Sequence, residues 1–116
     1  MRRLQGGVIG IDHGDVVLFS DFEHDGDMWR GEGPRQNVEH VLFSAPYLTP
    51  PHVQVSISMW DISNKSNTRV DVQAERITEK GFDIVFRTWA DTKVARVRVA
   101  WTAIGELPND DGWDLY

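Results

Sequence analysis

Trp89 lies in the run Arg87-Thr88-Trp89-Ala90-Asp91-Thr92-Lys93, where one large flat apolar side chain is surrounded by polar ones. An indole can cover the C–H face of a sugar ring while its polar neighbours take the hydroxyls, a division of labour suited to an uncharged, polar ligand. Alternation over 82–89 puts Phe82, Ile84 and Phe86 on one face of a strand and Asp83, Val85, Arg87 and Trp89 on the other. Trp89 is therefore expected off the core face, at a strand end. Two uses are open to it there: a platform for a ligand, or apolar surface packed under a loop or against a second subunit. Arg69 also points outward, at the start of its own strand, and its planar fork can donate two parallel hydrogen bonds to vicinal hydroxyls or a carboxylate. The competing use is a surface ion pair with Asp71 or Glu75. Arg96 and Arg98 face away from apolar neighbours and are expected to pair with acidic residues.

Other chemistries find less support. From Asp21 to Glu32 the chain nearly satisfies a calcium-loop pattern, with Asp21, Glu23 and Asp25 at the first, third and fifth places, Gly26 sixth and Glu32 twelfth. Its flanks are β-like on one side and Gly33-Pro34 on the other, not the two helices that such a loop needs. The alternative is a solvated turn in which Asp and Gly serve backbone conformation. The four histidines, at 13, 24, 40 and 52, lack zinc-site spacing. There is no nucleophile elbow, phosphate loop or dinucleotide fingerprint. Carboxylates such as Glu32 and Asp91 carry no mark of an acid–base pair, and the chain reads as a binding module without an enzyme's machinery or a cofactor.

Composition narrows the partners. A formal charge of −6 repels nucleic-acid backbones and anionic membranes at long range, so a neutral ligand fits better. No apolar run is long enough for membrane insertion. With no cysteine, disulfides and thiolate chemistry are excluded, and the redox compartment stays open. Met1-Arg2-Arg3 is not followed by an apolar stretch, so no secretory signal is visible; export by another route stays open.

The elements that must position these residues are strands. At 116 residues the chain is sized for one domain, 1–116, around one core. His52 to Trp60 sends Val53, Val55, Ile57 and Met59 one way and Gln54, Ser56, Ser58 and Trp60 the other; Arg69 to Ile77 follows after a turn and is expected to pair with it. Phe82 to Trp89 and Val94 to Ile104 come next, the latter with Val97, Val99, Trp101 and Ala103 on the apolar face. Gly7 to Ile11, Asp15 to Phe19 and Val38 to Ser44 bring the count to six or seven. Such spacing predicts an all-β sandwich, a closed barrel being the alternative. Asp21 to Gln36 reads as a long loop, and Asn109 to Asp114 as an acidic, peripheral tail.

An ordered series of motifs carries more specific information: Val41-Leu42-Phe43-Ser44-Ala45-Pro46-Tyr47, Pro50-Pro51, Asn67-Thr68-Arg69-Val70, Gly81-Phe82, Thr88-Trp89-Ala90-Asp91-Thr92-Lys93-Val94, and the Trp101 strand. Over 41–104 the chain resembles the H-type lectin domain of snail agglutinins and discoidins, and more loosely over its first forty residues. The resemblance implies a six-stranded antiparallel β-sandwich assembling as a homotrimer. It also implies glycan partners: galactose-type sugars, especially N-acetylgalactosamine, in clefts between subunits. By position Arg69 resembles the arginine that bonds sugar hydroxyls, Trp89 the tryptophan at the sugar's edge, and Glu32 the acidic residue contributed by a neighbouring subunit. Asp91 would order the loop or add a polar contact. Ala90 stands where the snail protein has histidine and Ala95 where it has tyrosine, which bears on sugar preference. Those departures also fit a rival expectation, a structural trimeric adhesin or phage-tail-like component whose sugar site is degenerate.

Overall fold

The computed structural model describes residues 1–108, so the tail expected over 109–114 lies outside the described residues. Six strands form: β1 (Ile9–Ser20), β2 (Arg35–Leu42), β3 (His52–Ile62), β4 (Val70–Glu75), β5 (Gly81–Thr88) and β6 (Val94–Glu106). They make two three-stranded antiparallel sheets, ordered β1-β6-β3 and β2-β5-β4. The all-β sandwich expected from alternation is what forms, because each sheet carries one apolar face that only the other can cover.

The central strands supply the core. Phe82, Ile84 and Phe86 of β5 are buried, as are Val97, Val99, Trp101 and Ala103 of β6, the faces read from alternation. Aromatic contacts tie the layers together: the Phe82 and Trp101 rings meet edge-on with centroids 5.4 Å apart, and Phe43 stacks on Phe82 at 5.7 Å. Each such pair adds about 1 kcal/mol beyond the area it buries.

Three local expectations are corrected. The strand at His52 and the one at Val70 do not pair: β3 lies beside β6 and β4 beside β5, so chain neighbours are split between layers. The two short runs before Ser20 are one strand of 12 residues. Gly14 does not turn the chain there; a Cβ on it would come within 2.8 Å of the Trp101 indole nitrogen, so the glycine makes room for a core side chain. Finally, 21–36 is not one irregular loop. It contains a 3₁₀ turn, Asp21–His24, and a single α-helical turn, α1 (Asp27–Arg30), before β2 starts at Arg35.

Candidate functional site

The site grows from one end of the β2-β5-β4 sheet. Thr88, the last residue of β5, is opposite Arg35 of β2 and Val70 of β4. Continuing that register by one residue brings Trp89 between Pro34 and Arg69. Alternation places the indole on the outer face, and Trp89 is 43% exposed. Beside it Pro34, Arg35, Gln36, Arg87, Thr88 and Trp89 line an open groove of about 400 Å3.

Arg69 is held from both directions by hydroxyls. Its backbone N–H donates to Thr92 Oγ1 at 3.0 Å, and its carbonyl accepts from Thr88 Oγ1 at 2.6 Å. Thr92 is fully buried and donates in turn to the Asn67 carbonyl at 2.6 Å. Two threonines thereby satisfy the backbone at a strand entrance, where ladder bonds end. The Arg69 guanidinium pairs through Nη1 with Asp91 Oδ1 at 3.0 Å, both side chains being well exposed. Such a pair contributes about 0–1 kcal/mol to stability; its larger effect is to fix the direction of the fork.

Asp71 and Glu75, the expected partners of Arg69, belong instead to Arg87. Its Nη1 lies 2.9 Å from Glu75 and 3.9 Å from Asp71, its cross-strand neighbour. Arg69 sits two residues beyond, where the 89–93 turn delivers Asp91. Further along the same face Asp83 is paired with Arg76 and, at 2.7 Å, with His40. The Arg76 hydrogen bond, followed by that of His40, holds the Asp83 carboxyl below its ordinary range, and the Arg87 hydrogen bond does the same for Glu75. On the other sheet Arg96 pairs with Asp61 at 3.6 Å as expected of it, whereas Arg98 donates to the Ser58 hydroxyl at 3.0 Å.

The turn after Trp89 is tied to the segment before β2. Ala90 has φ of 59°, a left-handed conformation that costs an alanine about 1 kcal/mol. Its carbonyl accepts from Gly33 N–H at 2.9 Å and from Arg35 Nη2 at 3.3 Å. Lys93 Nζ donates to the Gly31 and Arg30 carbonyls at 3.0 and 3.4 Å. Glu32 is carried on this segment; it is exposed, and its carboxylate makes no ion pair among the described residues. Trp89, Ala90, Arg69 and Asp91 thus share one sheet end, with the Glu32 segment fastened to their turn. Ala95 is buried and presents nothing to this surface.

The calcium-loop carboxylates are drawn to separate local partners. Asp21 Oδ2 accepts from Met28 N–H at 2.9 Å, Glu23 accepts from the Ser20 hydroxyl at 3.1 Å, and Asp25 pairs with Arg30 at 3.4 Å. Among the described residues no group of three or more His, Asp or Glu side chains is gathered to hold a metal ion. The two helical turns disperse what a calcium loop would converge.

Reading the sequence missed Arg35, Thr88, Thr92 and Lys93 as parts of this assembly. For Thr88 there was a signal: it falls on the face of Phe82, Ile84 and Phe86, and a polar residue there must find a partner. The other three act on backbone groups, which leave no pattern in the residue types.

Comparison with known proteins agrees with the fold and the motif series. A family model, the H-type lectin domain, matches residues 38–104. The chain is 48% identical over 115 residues to the ORF 7 protein of the ATP synthase subunits region of Fuscovulum blasticum, a match spanning 99% of both chains. It is 39% identical over 74 residues to a discoidin-1 polypeptide from Dictyostelium discoideum, covering 63% of this chain and 29% of that one. The solved structure of discoidin II from the same organism superposes with a TM-score of 0.75 at 25% identity, over 94% of this chain and 41% of that chain. The chain therefore corresponds to a part of the discoidins and to nearly the whole of the Fuscovulum protein. With a two-sheet sandwich, an ordered motif series and a family match over more than half its length, this chain belongs to the H-type lectin domain family, a class of carbohydrate-binding modules.

Proposed function

We propose that the chain is a non-enzymatic lectin that binds galactose-type sugars, N-acetylgalactosamine among them, at clefts between the subunits of a homotrimer. The observation that carries this reading is the exposed Trp89 indole at a sheet end, set between Pro34 and Arg69 and bordering an open groove. In this mechanism the indole covers the apolar face of the ring and Arg69 donates to adjacent hydroxyls. Asp91 holds one edge of the Arg69 fork and leaves its other N–H groups for the sugar, while Glu32, lent by a neighbouring protomer, accepts from a hydroxyl. No bond is broken. Ala90 and Ala95 contribute no polar contact, so recognition falls on fewer groups than the family's snail members use.

One shallow site desolvates few atoms and binds weakly; three sites on one trimer engaging a glycan surface together raise the effective affinity without new contacts. Calorimetric titration with galactose and N-acetylgalactosamine, beside a glycan array and a mass measurement in solution, tests the reading. We expect a trimer that binds these sugars, and loss of binding in Trp89→Ala and Arg69→Ala with folding unchanged. A monomer, or equal silence from wild type and both variants, would remove it.

A further inference from the structure

We infer that Arg35 and Lys93 are positioning residues for Glu32, setting the carboxylate that one protomer lends to its neighbour's sugar; the inference rests on the lectin reading above. Arg35 is 7% exposed, yet no carboxylate pairs with it among the described residues. Its guanidinium donates only to backbone carbonyls: Nε to Gly33 at 2.8 Å, Nη1 to Met28 at 3.3 Å and Asp27 at 3.5 Å, and Nη2 to Ala90 at 3.3 Å. Lys93 follows the same rule, its ammonium resting on the carbonyls of Arg30 and Gly31. Withdrawing a cation from water without a counter-ion is unfavourable, and ordered carbonyl dipoles offset that cost only if the chain is held where they converge.

What they hold is the chain around Glu32: Lys93 the peptide just before it, and Arg35 the Gly33–Pro34 peptide one further on. Lys93 grips the Gly31 carbonyl and Arg35 the Gly33 carbonyl, while the Gly33 N–H to Ala90 bond closes the arrangement against the Trp89 turn. Both flanking residues are glycines for steric reasons. A Cβ at Gly31 would collide with Asp27, and Gly33 adopts φ of 77°. A carboxylate between two glycines is otherwise free to swing, because glycine has the most backbone freedom to lose. Two anchored cations, with the Gly33 N–H bond to Ala90, restrict that freedom on both sides of Glu32.

The test uses the full-length chain in its assembled form, with N-acetylgalactosamine and galactose as titrants and amide hydrogen exchange at Gly33 as an independent readout. Lys93→Met should weaken sugar binding about threefold to tenfold, the range set by one or two lost hydrogen bonds, and Lys93→Arg should recover most of it. In a Glu32→Gln background the Lys93→Met change should add nothing, since both act through one group. Exchange at Gly33 should accelerate in Lys93→Met and Arg35→Lys while amides of β6 keep their rates. Additive losses in the double variant, or wild-type affinity and Gly33 exchange in Lys93→Met, overturn the inference. Should wild type bind neither sugar while Lys93→Met still accelerates Gly33 exchange, the clamp stands and the lectin reading falls.

Discussion

The two ends of the sandwich use polar side chains differently. At the end away from Trp89, the Tyr47 hydroxyl is shared between the Gly10 and Ala103 carbonyls at 3.2 and 3.3 Å. Asp12 there accepts from the Ser44 N–H at 2.7 Å and from its hydroxyl at 3.0 Å. Burial, and then Asp12, push the Tyr47 hydroxyl's pKa upward, so it stays a neutral donor. A groove of about 270 Å3 lies beside it, lined by residues including Asp12, Ser44 and Tyr47. Its polar groups are already committed inward. At the Trp89 end Arg35, Thr88, Thr92 and Lys93 do the inward bonding, and an indole, a guanidinium edge and a carboxylate are left facing out. On the proposed reading, the Trp89 end differs from the other in having separate residues for holding the backbone and for meeting a ligand.

Breaking this contrast most severely should be Arg35→Met, which removes all the bonds of a buried guanidinium. It leaves the Met28 and Gly33 carbonyls without it, while those of Asp27 and Ala90 keep the Gly31 and Gly33 N–H groups. We expect a loss of about 3 kcal/mol or more in urea unfolding, together with loss of sugar binding. Thr92→Val comes next. It leaves the Arg69 N–H and the Asn67 carbonyl without partners, for a cost of about 2 kcal/mol and a several-fold weaker sugar affinity through a displaced Arg69. Tyr47→Phe sharpens the comparison from the other end: about 1 kcal/mol lost in the same unfolding assay and no change in sugar titration, because nothing at that end meets the ligand.

The smallest effect concerns acid. Asp83 and Glu75 titrate lower in the fold than in the unfolded chain, so their ionised forms favour folding. That contribution is whole above about pH 5, past the unfolded range of both groups, and fades as the pH falls through the lowered native values. Asp83→Asn should flatten the stability-versus-pH curve below that point and leave the neutral-pH sugar affinity intact.

Much of the fold was legible because alternation reports which face of a strand turns to the core, though not that Val85, on the opposite face of β5, is covered as well. Val97, Val99, Trp101 and Ala103 on one side of β6, and Trp89 outside just past the end of β5, follow from a period of two. Strand partners were not legible: β3 and β4 are adjacent in sequence but belong to different layers, and alternation says nothing about which sheet a strand joins. Nor were the irregular pairings. Both neighbours of β6 shift register near the same place, between Val17 and Phe19 on one side and Ile57 and Met59 on the other. An extra residue of this kind lets Leu18 and Phe19, consecutive in sequence, both pack on the core, which a strict alternation forbids. In the candidate site the outward groups were readable from residue type and motif, whereas Asp91 as the partner of Arg69 depended on how a turn closes.

That Arg35 and Lys93 grasp carbonyls, and no side chains, has a consequence for how this surface can change over time. Every amino acid brings the same carbonyl, so residues 30, 31, 33 and 90 offer these acceptors whatever stands at 32. Selection can therefore rewrite the side chain at that position, or alter Ala90 within what its backbone angle admits, and leave the frame intact. If the lectin proposal holds, sugar preference and architecture are inherited on separate residues, and one can drift while the other stays fixed.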